Sequence, residues 1–169
     1  MLVILSGRPG TGKTTLARLL ATAIGAVHLR IDSIEQALRN IGREVEAEGY
    51  VAAHAIAEDN LRLGHTVIAD CVNPWPVTRA AWRAVAARAG VRAVEVEVVC
   101  SDLDEHRRRV ESRMADIPGH RVPAWAEVLA RDYRAWDSER TVIDTARASA
   151  AESMQMIVAV LKDRSDRPA

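Results

Sequence analysis

Residues Gly7-Arg8-Pro9-Gly10-Thr11-Gly12-Lys13-Thr14 follow the spacing G-x-x-x-x-G-K-[ST], the pattern of a loop that holds phosphate. Each residue type has a separate physical task there. Glycines permit a tight turn in which backbone N–H groups point inward at phosphate oxygens. Lys13 brings a compact positive charge to the terminal phosphates, and Thr14 offers a hydroxyl to Mg²⁺. A helix starting at this point directs its positive dipole end at the same anion. The expected ligand is ATP with Mg²⁺, held by Gly7, Arg8, Pro9, Gly10, Thr11, Gly12, Lys13, Thr14 and Thr15. Residue usage sharpens the pattern, since the chain has only two lysines, Lys13 and Lys162, against 21 arginines. A chain that otherwise writes positive charge as Arg places a Lys where a small, flexible point charge suits phosphate.

Further candidates lie where predicted strands end, because ligands of open parallel sheets bind at the carboxyl ends of the strands. Asp32 follows Val27-His28-Leu29-Arg30-Ile31, Asp70 follows Thr66-Val67-Ile68-Ala69, and Asp144 ends Thr141-Val142-Ile143. Asp32 is placed to accept the proton of an attacking hydroxyl, and Asp70 to complete a magnesium shell with Thr14. Asp32 also opens a capping-box-like run, Asp32-Ser33-Ile34-Glu35, so a helix-cap role stands beside the chemical one. Asp70 shares a turn-forming stretch with Asn73, which either bonds a ligand or makes an Asx turn before Pro74. Asp144 is expected to cap the last strand or helix. Arg109 and Arg113 are four apart and share a helix face, which suits a lid closing over a transferring phosphoryl group. The stretch Ile117 to Pro123 supplies its hinge. Trp75, between two prolines, offers a stacking surface to an acceptor, and Glu35 and Arg79 complete the expected acceptor contacts beside Asp32, Asp70 and Asn73. The other tryptophans (82, 125 and 136) read as core or interface. The five histidines lack metal-ligand spacing and read as ordinary core or surface residues. Glu44, Glu46, Glu48 and Glu58 read, with Glu35, as solvated helix faces.

Strands and helices alternate along the chain, as in a parallel sheet covered by helices. Strands are predicted at 2–6, 27–31, 66–70, 92–100 and 141–144, and helices at 13–24, 33–41, 44–63, 77–89, 102–115, 123–136 and 148–162. In the fourth strand Val94, Val96 and Val98 alternate with Glu95 and Glu97, which predicts one thinly covered face. At 169 residues the chain is expected to form one domain, with a lid near 103–122 and a loose tail near 163–169. Acidic and basic residues balance at 23 each, so no global field favours nucleic acid, although a local basic patch would still permit it. No apolar run approaches a membrane span and no signal peptide is read, so a cytoplasmic location without membrane contact is expected. Cys71 and Cys100 fit a reducing compartment and are expected to end neighbouring segments of sheet.

Taken together, Gly7 to Thr14, Asp32, Asp70, Arg79 and the Arg109/Arg113 pair resemble the small P-loop kinases of the polynucleotide-kinase-like, zeta-toxin-like and chloramphenicol-phosphotransferase-like group. Arg30-Ile31-Asp32-Ser33 is similar both to the Arg-x-Asp element of the first and to the Val-Asp-Ser element of the last. The resemblance implies an α/β P-loop NTPase sandwich of three layers, with strand order 2-3-1-4-5 and an arginine-bearing helical lid. It also implies that Asp32 is the general base, with Lys13, Arg109 and Arg113 as the other catalytic groups. Kinases of the shikimate type carry Asp-x-Asp after the second strand, whereas here the first position is Arg30, so the resemblance leaves Asp70 as the acid beside the magnesium. The expected activity is ATP-dependent transfer of the γ-phosphoryl group to a hydroxyl of a small molecule such as a nucleoside, sugar or antibiotic-like acceptor. A 5′-hydroxyl polynucleotide kinase is the second enzyme reading, and a nucleotide-binding switch acting on a protein partner is the reading of another class. A switch needs a residue that positions water, yet the only glutamines, Gln36 and Gln155, fall in predicted helices. Acceptor identity, ATP or GTP preference and oligomeric state are open at this point.

Overall fold

The computed structural model describes residues 1–165. Five strands, β1 Leu2–Ser6, β2 Val27–Arg30, β3 Val67–Asp70, β4 Ala93–Val99 and β5 Thr141–Asp144, form one parallel sheet of order β2-β3-β1-β4-β5. The connecting helices are α1 Lys13–Ile24, α2 Ile31–Asn40, α3 Glu48–Arg62, α4 Pro76–Arg88, α5 Leu103–Ser112, α6 Trp125–Ala130 and α7 Ala150–Ser165. β1 lies at the centre, buried over its whole length, because its uninterrupted apolar run is covered on both faces. The pleat then sorts its side chains into two cores. Leu2 and Ile4 join Ala53, Ala57 and Leu61 of α3 and Trp82, Val85 and Ala86 of α4. Val3 and Leu5 join Leu16, Ala17 and Leu20 of α1 and Ile157 and Leu161 of α7. The result is three layers, with the strand C-termini of β1, β2 and β3 opening together toward the site.

Several boundaries differ from expectation for identifiable reasons. β2 passes into α2 with no intervening loop, so Ile31 opens the helix and Arg30 is its N-cap. The predicted helix over 123–136 ends at Ala130, because Arg79 captures the backbone carbonyls of Arg134 and Ala135 and holds that stretch open. α5 stops at Ser112, and Arg113 turns extended at ψ 123°, so the two expected lid arginines do not continue on one helix. The polar face of β4 is not thinly covered. Glu95 and Glu97 are buried, Glu95 against Arg83 of α4 and Ser138, and Glu97 against Arg140. Cys71 and Cys100 follow β3 and β4, which are separated by β1, so the segments they end are not neighbours. The tail expected to be loose from 163 is helical to Ser165, and residues 166–169 lie outside the described residues. Among the described residues no helix is long and apolar enough to cross a membrane.

Candidate active site

The phosphate loop leaves β1 at the centre of the sheet, and its shape follows from its glycines. Gly7, Gly10 and Gly12 take φ of 147°, 83° and 94°. A Cβ at Gly7 would fall 2.2 Å from the Val98 carbonyl oxygen, and one at Gly10 would fall 2.4 Å from Val110 Cγ2 of α5. Side chains were thus impossible at the two points where β4 and α5 press on the loop. The loop is tied down from outside. His106 Nε2 lies 2.8 Å from the Pro9 carbonyl, Thr145 Oγ1 donates to the Thr11 carbonyl at 2.9 Å, and Arg8 donates to the Val128 and Leu129 carbonyls at 3.1 and 3.2 Å. The Arg8 side chain therefore serves α6, not the nucleotide. α1 begins without a side-chain cap, so the N–H groups of its first turn remain for an anion. Lys13 Nζ rests on the Arg8 carbonyl at 2.9 Å. Burial pulls its ammonium below the ordinary value, against the attraction of Asp70 and Asp32.

Two hollows meet at this loop. One of about 290 Å³ is lined by Gly10, Gly12, Thr15, Arg18, Arg109 and Met114, and a cleft of about 660 Å³ is lined by Asp32, Glu35, Tyr50, Asp70, Trp75 and the lid residues Gly119 to Arg121. Lys13, Thr14 and Arg113 line both. Asp32 stands in the first turn of α2, with its side chain 38% exposed and 3.7 Å from Arg30. The N-cap position belongs to Arg30, which removes the cap role for Asp32. Asp70 is buried, 3.3 Å from His28 Nε2 and close enough to Thr14 to feel its hydroxyl. Burial alone would raise its carboxyl, but the His28 ring, Lys13 and Thr14 outweigh this and hold it below the usual range.

The other expected residues divide. Glu35 and Trp75 face the cleft; Trp75 is 45% exposed and its indole donates to Asp132 at 3.1 Å. Asn73 and Arg79 do not face it. Asn73 is buried at φ 50° and struts Ser6 Oγ at 3.0 Å. Arg79 is fully buried, donates to the carbonyls of Asn73, Pro74, Arg134 and Ala135, and lies over the Trp136 ring at 4.1 Å. It is a structural clamp, not an acceptor contact. Arg109 is also committed, to Glu105 at 2.7 Å and to Thr145 Oγ1 at 2.8 Å, leaving Arg113 as the arginine at the junction. Asp144 caps the end of β5, accepting from the Ser101 and Ala146 N–H groups. His106, expected to be an ordinary residue, clamps the loop, and neither Thr145, which supports it, nor Asp116, which receives Arg30, was anticipated. Spacing could not reveal them, because they act across tens of residues of chain.

Comparison with known proteins places this geometry among relatives. Residues 2–136 match the model of a family described as AAA domain. An uncharacterised protein of Mycobacterium tuberculosis is 33% identical over 164 residues, covering 86% of this chain and 32% of its own length. The chain thus spans about a third of the length of the curated relatives it matches. Among solved structures, a proposed kinase of Chloroflexus aurantiacus superposes with a TM-score of 0.73 at 21% identity, covering 96% of each chain. The APS kinase of Mycobacterium tuberculosis, in complex with AMPPNP and APS, gives 0.68 at 19% identity over 95% of this chain and 96% of that one. A gluconokinase of Sinorhizobium meliloti gives 0.61 at 18% identity over 96% of both. At such identities the structural likeness establishes the shared P-loop kinase fold.

Proposed function

The chain belongs to the AAA domain family, and on that premise we propose that it is an ATP-dependent phosphotransferase that moves the γ-phosphoryl group to a hydroxyl of a small molecule. The observation that carries this is the junction of two hollows at Lys13, Thr14 and Arg113. A nucleotide on the loop side and an acceptor in the larger cleft would meet there. Asp32 opens on the acceptor side and takes the hydroxyl proton as the acceptor oxygen bonds to γ-phosphorus and the bond to the β–γ bridging oxygen breaks, releasing ADP. Lys13 and Arg113 meet the charge that spreads over the phosphoryl oxygens. Thr14 and Asp70, two hard oxygen donors lining the same cleft, suit Mg²⁺ and would hold it. Bound there, Mg²⁺ neutralises phosphate charge.

Small-molecule transfer is favoured over a polynucleotide acceptor by the balanced charge of 23 acidic and 23 basic residues, since backbone recognition of nucleic acid needs a positive surface. The structures of APS kinase and gluconokinase, which share the fold, lend support to a small acceptor. A nucleotide switch would need a water-positioning residue. Gln36 lines the cleft but is committed to Asn40 at 2.8 Å. The test is transfer from γ-labelled ATP to a panel of nucleosides, sugars, aminoglycosides, chloramphenicol-like compounds and 5′-hydroxyl oligonucleotides. Label on a small acceptor supports the proposal, label only on oligonucleotides moves the assignment to a polynucleotide kinase, and hydrolysis with no labelled acceptor overturns both.

A further inference from the structure

The chain between α5 and α6, residues 113–124, has little secondary structure, so its position over the site depends on side-chain anchors. One anchor dominates. Asp116 receives both terminal nitrogens of Arg30, at 2.7 and 2.9 Å, and a further nitrogen from Arg18 of α1 at 2.7 Å. Arg113 lies 3.8 Å from the same carboxylate. The bidentate arginine–carboxylate pair is the strongest and most directional of the charged hydrogen bonds. Its arginine is 5% exposed, so the dock is set in the body of the protein. Arg30 is also paired in register with Asp70 and lies two residues before Asp32, which puts the dock beside the proposed base and the proposed magnesium ligand. The lid tip follows the anchor. Gly119 closes on α2 so tightly that a Cβ there would stand 3.2 Å from Gln36 Nε2.

We propose that Asp116 is a positioning residue that docks the 113–124 segment on Arg30, so that Arg113 stands at the junction of the two hollows and the Arg30 guanidinium spends its short hydrogen bonds on Asp116 instead of Asp32. The second effect matters because Arg30 already reaches Asp32 as a long ion pair at 3.7 Å, while its short hydrogen bonds go to Asp116. Were those hydrogen bonds turned on Asp32, the carboxylate lone pairs that take the hydroxyl proton would be occupied. Arg30, which departs from the Asp-x-Asp pattern of related kinases, thereby acquires a task in lid placement. The kinetic part of this inference rests on the phosphotransferase reading, and the docking part does not.

The test compares Asp116→Asn and Asp116→Glu with wild type by amide deuterium exchange across residues 113–124, by AMPPNP affinity and by transfer kinetics. In Asp116→Asn, lid amides should exchange about tenfold faster while β1 and β3 keep their protection. kcat should fall about tenfold or more with the KM for ATP within about threefold. Asp116→Glu, which keeps the charge, should recover part of both losses. Unchanged lid exchange, an affinity loss as large as the loss of kcat, or a rise in kcat on Asp116→Asn would each overturn the proposal. A rise would mean that Asp116 plugs the site. If wild type labels no acceptor, the phosphotransferase reading fails separately, and lid exchange together with the rate of ATP hydrolysis still decides the role of Asp116.

Discussion

Arg109 and Arg113 are four positions apart in sequence but occupy chemically different places. Arg109 is bonded to Thr145, whose hydroxyl supports the Thr11 carbonyl of the phosphate loop, whereas Arg113 stands where the hollows meet. Arg113→Ala should therefore lower kcat about tenfold or more with ATP affinity changed by only about threefold, because in the proposed reaction it meets charge that develops in the transition state. Arg109→Ala should act mainly through ATP affinity. Steady-state kinetics with nucleotide titration separates the two, and equal, small effects in both would remove the arginines from the proposed chemistry. At this scale the phosphate loop was legible, since each of its residue types answers a local need. Arg79 and Asn73 were misread as acceptor contacts. Both follow the third strand at suggestive spacing, yet the decision was made by carbonyls of residues 134 and 135 and by Ser6, distant in sequence.

Arg79 shows how an element boundary depends on one side chain. The alternation of strands and helices predicts one helix over 123–136, but four carbonyl oxygens converge on the buried guanidinium, and the chain beyond Ala130 is held open over α4. Arg79→Met keeps much of the apolar stem and removes every donor. It should lower unfolding free energy by about 3 kcal/mol, since buried carbonyls are left unsatisfied, and denaturant unfolding measures this directly. A loss below about 0.5 kcal/mol would mean that the clamp is incidental. Elements with their own apolar run or period, such as β1, α1 and α4, are readable from sequence within a residue or two. The lid was not, because its course is set by Asp116 on Arg30 and by His106 and Arg8 on the loop, contacts that carry no local period.

For the molecule as a whole, the parallel sheet gathers Lys13, Asp32 and Asp70 at one edge of the strands, and charge pairing makes that edge sensitive to acid. Arg30 holds the Asp116 carboxyl well below the usual carboxylate range, and Asp70 is also held low. A folded-state pKa below the unfolded one contributes stability that is complete above the unfolded value of about 3.9 and is lost as pH falls through the lower folded value. Thermal midpoints measured from pH 5 to pH 2 should thus fall more steeply for wild type than for Asp116→Asn, whereas parallel curves would contradict the pairing. The central claim is that ATP is a phosphoryl donor here and that Asp32 accepts the proton. It is tested most directly by Asp32→Asn, with label transfer from γ-labelled ATP to the best small acceptor measured on preparations whose folding and AMPPNP binding are checked. The account predicts intact folding, intact nucleotide binding and transfer reduced roughly 10²- to 10⁴-fold. Transfer that survives the substitution, or hydrolysis stimulated by a protein partner and indifferent to Asp32, would contradict it.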